Sequence, residues 1–202
     1  MNRRVVITGM GVISPLGCDL EKTWKVALEG KNGIGPITLF DASTFPCRIA
    51  AEVRNFNIDS SIDDKKLIKF LNRGAQFGVA AAQMAMADAD LHAGDYEPTR
   101  TGVSLSSSGS RPNLESLNLI CRTIEDSRFP VINPISAINW NPNTGASIIG
   151  RLANARGPNT VFSIACSGSS QAIGTALRMI QQGDADIVVT GGYESLISEG
   201  DL

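Results

Sequence analysis

The sequence predicts an α/β protein built on a largely parallel sheet covered by helices, and two observations carry the prediction. Short β-branched runs such as "RRVVITG" (3–9), "TVFSIA" (160–165) and "DIVVTGG" (186–192) alternate with longer segments whose apolar residues recur at helical spacing. No internal repeat, low-complexity tract or long linker breaks that alternation, so residues 1–202 read as one unit.

Taken in order, 3–9 reads as a buried strand ending at Gly9. Residues 19–30 read as an amphipathic helix with Leu20, Trp24, Ala27 and Leu28 on one face and Gly30 as its stop. Residues 32–46 form a turn-rich loop, and "RIAAEV" (48–53) is a short strand candidate. In 61–91, Asp63 and Asp64 stand near a helix start, and the alanine- and methionine-rich stretch that follows is apolar nearly all round, as a helix buried on most sides is. Residues 101–108 alternate like a strand, while 112–124 and 143–155 are helical in period. Strand 160–165, helix 168–182 and strand 186–192 close the series, with Gly183 suited to the helix C-terminus.

Composition limits function. A net charge of −2 offers no field for nucleic acid or anionic lipid. The N-terminal apolar run is too short for a signal sequence or a membrane span, so a cytoplasmic location is expected. Cys18, Cys47, Cys121 and Cys166 are widely spaced with no CxxC, which argues against a metal site and, in a reducing compartment, leaves four free thiols. Cys18, Cys47 and Cys121 read as structural, and Trp24, Trp140, Met84 and Met86 as packing residues. "GMG" at 9–11 is a weak dinucleotide signal, because Ser14 and then Pro15 stand where the third glycine would fall. Asp184 and Asp186 read as turn residues, and His92, in "DLHAGDYEP", as a solvated loop histidine rather than a base.

Cys166 stands apart. Ala172, Ile173, Ala176, Leu177 and Ile180 mark a helix that begins just after it, so its thiol sits where a strand turns into a helix. Unpaired N–H groups and the positive end of the helix dipole favour a thiolate at such a place. Ser167, Gly168, Ser169 and Ser170 leave room for an acyl group, and backbone amides of the turn are candidate oxyanion donors. On these local features a small buried hydrophobe accounts for Cys166 equally well.

Three stretches, "RRVVITGMGVISPLG", "GKNGIGPITLFD" and "RGPNTVFSIACSGSSQAIGTALRMIQQGDADIVVTGGYES", resemble the β-ketoacyl-(acyl carrier protein) synthases of fatty-acid and polyketide synthesis in order and spacing. Gly157, Pro158, Ala165, Cys166, Gly183, Asp184, Ala185, Asp186, Gly191 and Gly192 match that family's nucleophile motif. The resemblance implies a thiolase-like fold, here its N-terminal half, with a mostly parallel mixed sheet. It also implies Cys166 as the nucleophile of an acyltransferase that condenses its bound acyl group with decarboxylated malonyl-carrier protein. No cofactor or metal is bound permanently; phosphopantetheine arrives on the acyl carrier protein. The family's second half supplies two histidines, a lysine and an oxyanion donor with no counterpart here, so the missing C-terminal half, on the same polypeptide or a partner chain, is an implied partner. The implied assembly is a homodimer or a ketosynthase heterodimer.

Two departures limit what carries over. Gly168 stands where relatives often have a second small hydroxyl residue, and "SSSGSRP" (106–112) replaces a glycine-rich turn near the acyl pocket, so no pocket residue is assigned. Two alternatives stand beside the synthase. A non-catalytic subunit like the chain-length factors that pair with ketosynthases is disfavoured by Cys166. A cysteine hydrolase is disfavoured by Ile164, where its elbow motif needs glycine, and by the lack of a partner histidine.

Overall fold

The computed structural model of the chain describes residues 3–92, 94–126, 129 and 133–201. In chain order the elements are α1 (Leu20–Leu28), β1 (Gly35–Pro36), β2 (Ile49–Ala50), α2 (Arg73–Asp88), β3 (Thr101–Ser106), α3 (Leu114–Glu125), α4 (Pro134–Trp140), α5 (Asn143–Leu152), β4 (Asn159–Phe162), α6 (Gly168–Gln182) and β5 (Ile187–Gly192). Strands β4, β3 and β5 form a parallel sheet in that spatial order, and β1 and β2 form a separate antiparallel ladder. Ser106 stands level with Phe162 on one side and Gly192 on the other, so the three strands release their chains at one common edge.

All six residues of β3 are buried, because a central strand covered on both faces shows neither to water. The alternation read in its sequence instead sorts side chains between two covers. Val103 and Leu105 join the main core with Val79 of α2 and Ala146 and Ile149 of α5. Ser104 points the other way, its Oγ donating to the Ala172 carbonyl of α6 at 2.9 Å. α6 presents Ala172 and Ala176, both buried, to the sheet, small residues that allow helix and strand to approach closely.

Helix α2 is buried on most sides, as its composition predicts: Gly74, Ala75, Phe77, Gly78, Val79, Ala80 and Ala82 are all covered. It starts later than Asp63 and Asp64 suggest. Asn72 caps it by accepting from Ala75 N, while Asp64 caps a preceding 3-10 helix, Lys65–Phe70, by accepting from Lys66 N. α6 and β5 fall where the sequence places them, and Gly183 ends α6 at a left-handed φ of 85°. β4 ends at Phe162, before the expected Ala165, and α4, opened by Asn133 and Pro134, was not anticipated. The 48–53 strand shrinks to Ile49–Ala50, whose partner lies inside the segment read as loop.

Two expected burials are overturned. Residues 3–9 form no strand among the described residues, and Ile7 is 79% exposed. A strand needs a neighbour to bond, and this segment ends against a helix instead. Gly9 and Gly11 press on α2 so closely that a Cβ at either would overlap the carbonyl oxygens of Ala85 and Ala81, and Met10 N donates to the Asp88 carboxylate at 2.8 Å. Helix α1 forms as expected, capped by Asp19 and followed by Gly30 at φ 65°, yet none of its residues is buried. Trp24 is 64% and Leu28 70% exposed, so Trp24 is no packing residue here: local signals built the helix, and nothing in the described chain covers its apolar stripe. Trp140, Met84 and Met86 are half-buried as packing residues.

Candidate active site

Ligands of parallel α/β sheets bind in the crevice outside the carboxyl ends of the strands, where three segments of this chain leave the sheet together. Residues 163–167 leave β4, 107–113 leave β3 and 193–197 leave β5. Cys166 lies in the first, within a single 3-10 turn, Ala165–Ser167, that leads directly into α6. Its side chain is exposed, so the alternative of a small buried hydrophobe does not describe it.

The backbone holds that position against its own preference. Ala165 sits at φ 50°, in the left-handed region that costs a residue with a Cβ roughly 1 kcal/mol or more. Neighbouring contacts hold the turn in place. Ser167 Oγ donates to Ile164 O at 3.2 Å. Phe162 O, at the end of β4, accepts from Ser106 Oγ at 3.0 Å and from Ser107 N at 3.1 Å. Gly168, the first residue of α6, fits so tightly on Ser106 that a Cβ would overlap its Oγ, and Gly192 is equally close to Ser169 Oγ. No side chain caps the N-terminus of α6, so the positive end of the helix adjoins the turn that carries Cys166, with Gly168 N donating to Ala165 O.

The third segment is tied in through Tyr193 and Glu194. Tyr193 N donates to Ser106 O at 3.0 Å and its hydroxyl to Pro142 O at 3.2 Å. Burial pushes the Tyr193 hydroxyl up to about 12. Glu194 Oε2 accepts from Ser108 N at 2.9 Å. Sequence reasoning missed this pair; the one signal available was an acidic residue placed just past an apolar strand end, in "GGYE".

Other singled-out residues lie elsewhere. His92 is exposed in the connection entering β3, at the sheet edge opposite Cys166, with Nε2 at 3.3 Å from an Asp90 carboxylate oxygen. Asp186 does more than turn the chain: it accepts from Arg100 Nε at 2.6 Å and from Arg3 Nη1 at 2.8 Å, and these hydrogen bonds, Arg100 first, hold its carboxyl at about 2. Cys47 and Cys121 are exposed and Cys18 is half-buried. Among the described residues there is no cluster able to hold a metal ion, and no helix is long and apolar enough to cross a membrane.

Comparison with known proteins gives this geometry its context. The sequence profile described as "Beta-ketoacyl synthase, N-terminal domain" matches residues 2–202. A Staphylococcus aureus (strain N315) protein named 3-oxoacyl-[acyl-carrier-protein] synthase 2 is 36% identical over 197 residues, 98% of this chain and 47% of that protein. A protein of the same name from Synechocystis sp. (strain ATCC 27184 / PCC 6803 / Kazusa) is 37% identical over 198 residues, 97% of this chain and 46% of that one. Among solved structures, the ishigamide ketosynthase/chain length factor superposes with a TM-score of 0.81 at 28% identity, covering 95% of this chain and 47% of that one. The chain thus spans about half the length of the curated relatives it matches, and its fold is the N-terminal half of the thiolase-like α/β fold of ketosynthases. It belongs to the β-ketoacyl synthase family, of which it comprises the N-terminal domain.

Proposed function

We propose that residues 1–202 form the nucleophile-bearing domain of a β-ketoacyl-(acyl carrier protein) synthase and that Cys166 is its catalytic nucleophile. The observation that carries this reading is the exposed Cys166 in a left-handed turn at the carboxyl edge of the parallel sheet, ahead of the uncapped α6. In the first step the Cys166 thiolate attacks the carbonyl carbon of an acyl thioester on the phosphopantetheine arm of a carrier protein. Negative charge develops on the carbonyl oxygen beside the positive end of α6. The carbon–sulfur bond to the carrier then breaks, leaving an acyl-Cys166 thioester and the carrier thiol.

In the second step malonyl-carrier protein loses carbon dioxide, and the carbanion so formed attacks acyl-Cys166. This expels the Cys166 thiolate and yields a β-ketoacyl carrier protein. The decarboxylation is assigned to histidines of a second half, which would also complete the oxyanion hole. His92 is the chain's only histidine and stands at the wrong edge of the sheet. The reading includes a dimeric assembly, a cytoplasmic location and service in either fatty-acid or polyketide synthesis. It stands against a chain-length-factor-like subunit because such subunits lack the nucleophile. Incubating the chain, with its complementing half, with acyl-carrier protein and mapping the acyl group by peptide mass spectrometry tests it. The expected label is on Cys166 and disappears in Cys166→Ala; a label on any other residue would overturn the assignment.

A further inference from the structure

Glu194 lies two residues past β5 and takes no part in the reaction just described. Its surroundings do not suit a residue kept for packing. It lines a cavity of about 280 Å³ whose other walls include Ile13, Val53, Phe77, Leu196 and the cationic Arg73. Its Oε1 is buried with no hydrogen-bond partner among the described residues. Leaving a carboxylate half-satisfied is costly, and an apolar side chain would fill such a place at lower cost.

What the carboxylate does make is one charge-assisted bond, Ser108 N to Oε2 at 2.9 Å, and that bond falls on the loop nearest the nucleophile turn. The loop's neighbouring amides are held by other groups: Ser107 N by Phe162 O at 3.1 Å and Gly109 N by Ser107 Oγ at 3.0 Å. Gly109, at φ 79°, is pressed so closely on Trp140 O that a Cβ would overlap it, which fixes the loop's far side. Glu194 therefore secures a loop whose first residue, Ser107, is bonded to the end of β4 and which follows Ser106, packed on the start of α6.

We infer that Glu194 is a positioning residue: through Ser108 N it fixes the 107–109 loop beside the Cys166 turn, so that an acyl thioester reaches the sulfur in a reactive pose. The inference rests on Cys166 being the nucleophile. Removing the acceptor should loosen the loop while leaving the sulfur itself accessible. Small displacements at a reacting centre cost rate steeply.

The test compares wild type, Glu194→Ala and Glu194→Gln in the chain assembled with its complementing half. Two Cys166 reactions are followed, acylation by an acyl-carrier thioester and alkylation by iodoacetamide, together with amide hydrogen exchange of peptides spanning 105–112. Glu194→Ala is expected to slow acylation about 10- to 100-fold, to leave alkylation within about twofold, and to raise exchange in 105–112 alone. Glu194→Gln, which keeps an oxygen acceptor, is expected to restore most of the acylation rate. Unchanged acylation, or an equal fall in both reactions with exchange rising throughout the molecule, would overturn the positioning role. If Glu194→Ala does not assemble, Glu194→Leu, which fills the cavity and offers no acceptor, takes its place: slowed acylation with near-wild-type alkylation and raised 105–112 exchange supports the role, and unchanged acylation refutes it. Wild type that acylates at another residue would defeat the nucleophile assignment instead, a result visible without any Glu194 variant.

Discussion

Ala165 and Gly168, on either side of Cys166, show how much of the site is backbone. Ala165 carries an unfavourable φ, and Gly168 is a position where nothing larger fits. A Cβ at 168 would stand 2.8 Å from Ser106 Cβ and closer still to Ser106 Oγ. Gly168→Ala gains about 1 kcal/mol of helix propensity, yet it should lose about 1–3 kcal/mol of stability net through the overlap and slow labelling of Cys166; denaturant midpoints and alkylation rates check both. For the sulfur itself, limited iodoacetamide treatment followed by peptide mass spectrometry should show Cys166 modified before Cys18, Cys47 and Cys121, with the early label absent in Cys166→Ser. Equal labelling would be informative, because Cys47 and Cys121 are exposed as well and accessibility alone would then explain reactivity. The turn that carries Cys166 was legible in the sequence because a change of period marks it, while the role proposed for its sulfur came from the family resemblance and not from the local pattern. Glu194 was not, because its role depends on a bond to residue 108, a long-range pairing that no local pattern encodes.

Among the elements, legibility follows where the stabilising partner lies. α6 has its stop glycine and its apolar spacing within its own sequence, and it appears where expected. The 3–9 run has a strand composition, but pairing is a property of two segments, and only its Gly9 end lies on α2. Its end is pinned by charge rather than by a ladder, since Arg3 and Arg100 both bond Asp186 at the start of β5. That junction sets a pH dependence with a definite sign. The Asp186 carboxyl is lowered from 3.8 to about 2 in the folded chain, so its stabilisation is present above about pH 4 and lost as pH falls toward 2. Asp186→Asn should lower the urea midpoint at pH 7, and the gap to wild type should close by pH 2. The pair is exposed, so the effect at pH 7 is small and shrinks further in high salt. A gap that persists unchanged at pH 2 would assign the Asp186 contribution to packing.

At the scale of the whole molecule the apolar surface is the telling feature. Leu20, Trp24 and Leu28 of α1, Ile173 and Leu177 of α6, and Ile164 near Cys166 are all exposed. The α1 residues share one open helix face, of a kind soluble monomers seldom leave uncovered, and the curated relatives are about twice the length of this chain. On the proposed reading a second half covers this surface and brings the groups that decarboxylate malonyl-carrier protein. Light scattering on the 21.4 kDa chain alone should therefore show self-association or aggregation, and a monodisperse monomer would count against that cover. The chemistry divides along the same line. On the proposed reading, acyl transfer uses the Cys166 sulfur and backbone donors near the 165–168 turn, all within this chain. Condensation needs donors that hold the malonyl thioester carbonyl as charge develops on its oxygen during decarboxylation, and the only histidine here is His92, at the opposite sheet edge. The isolated chain, where folded, should accept an acyl group on Cys166 and release carbon dioxide from malonyl-carrier protein no faster than the uncatalysed background. Adding the second half should raise that release by orders of magnitude, with a β-ketoacyl product. Carbon dioxide evolved by the 202 residues alone at the assembled rate would refute this division and require a decarboxylating group that these residues do not display.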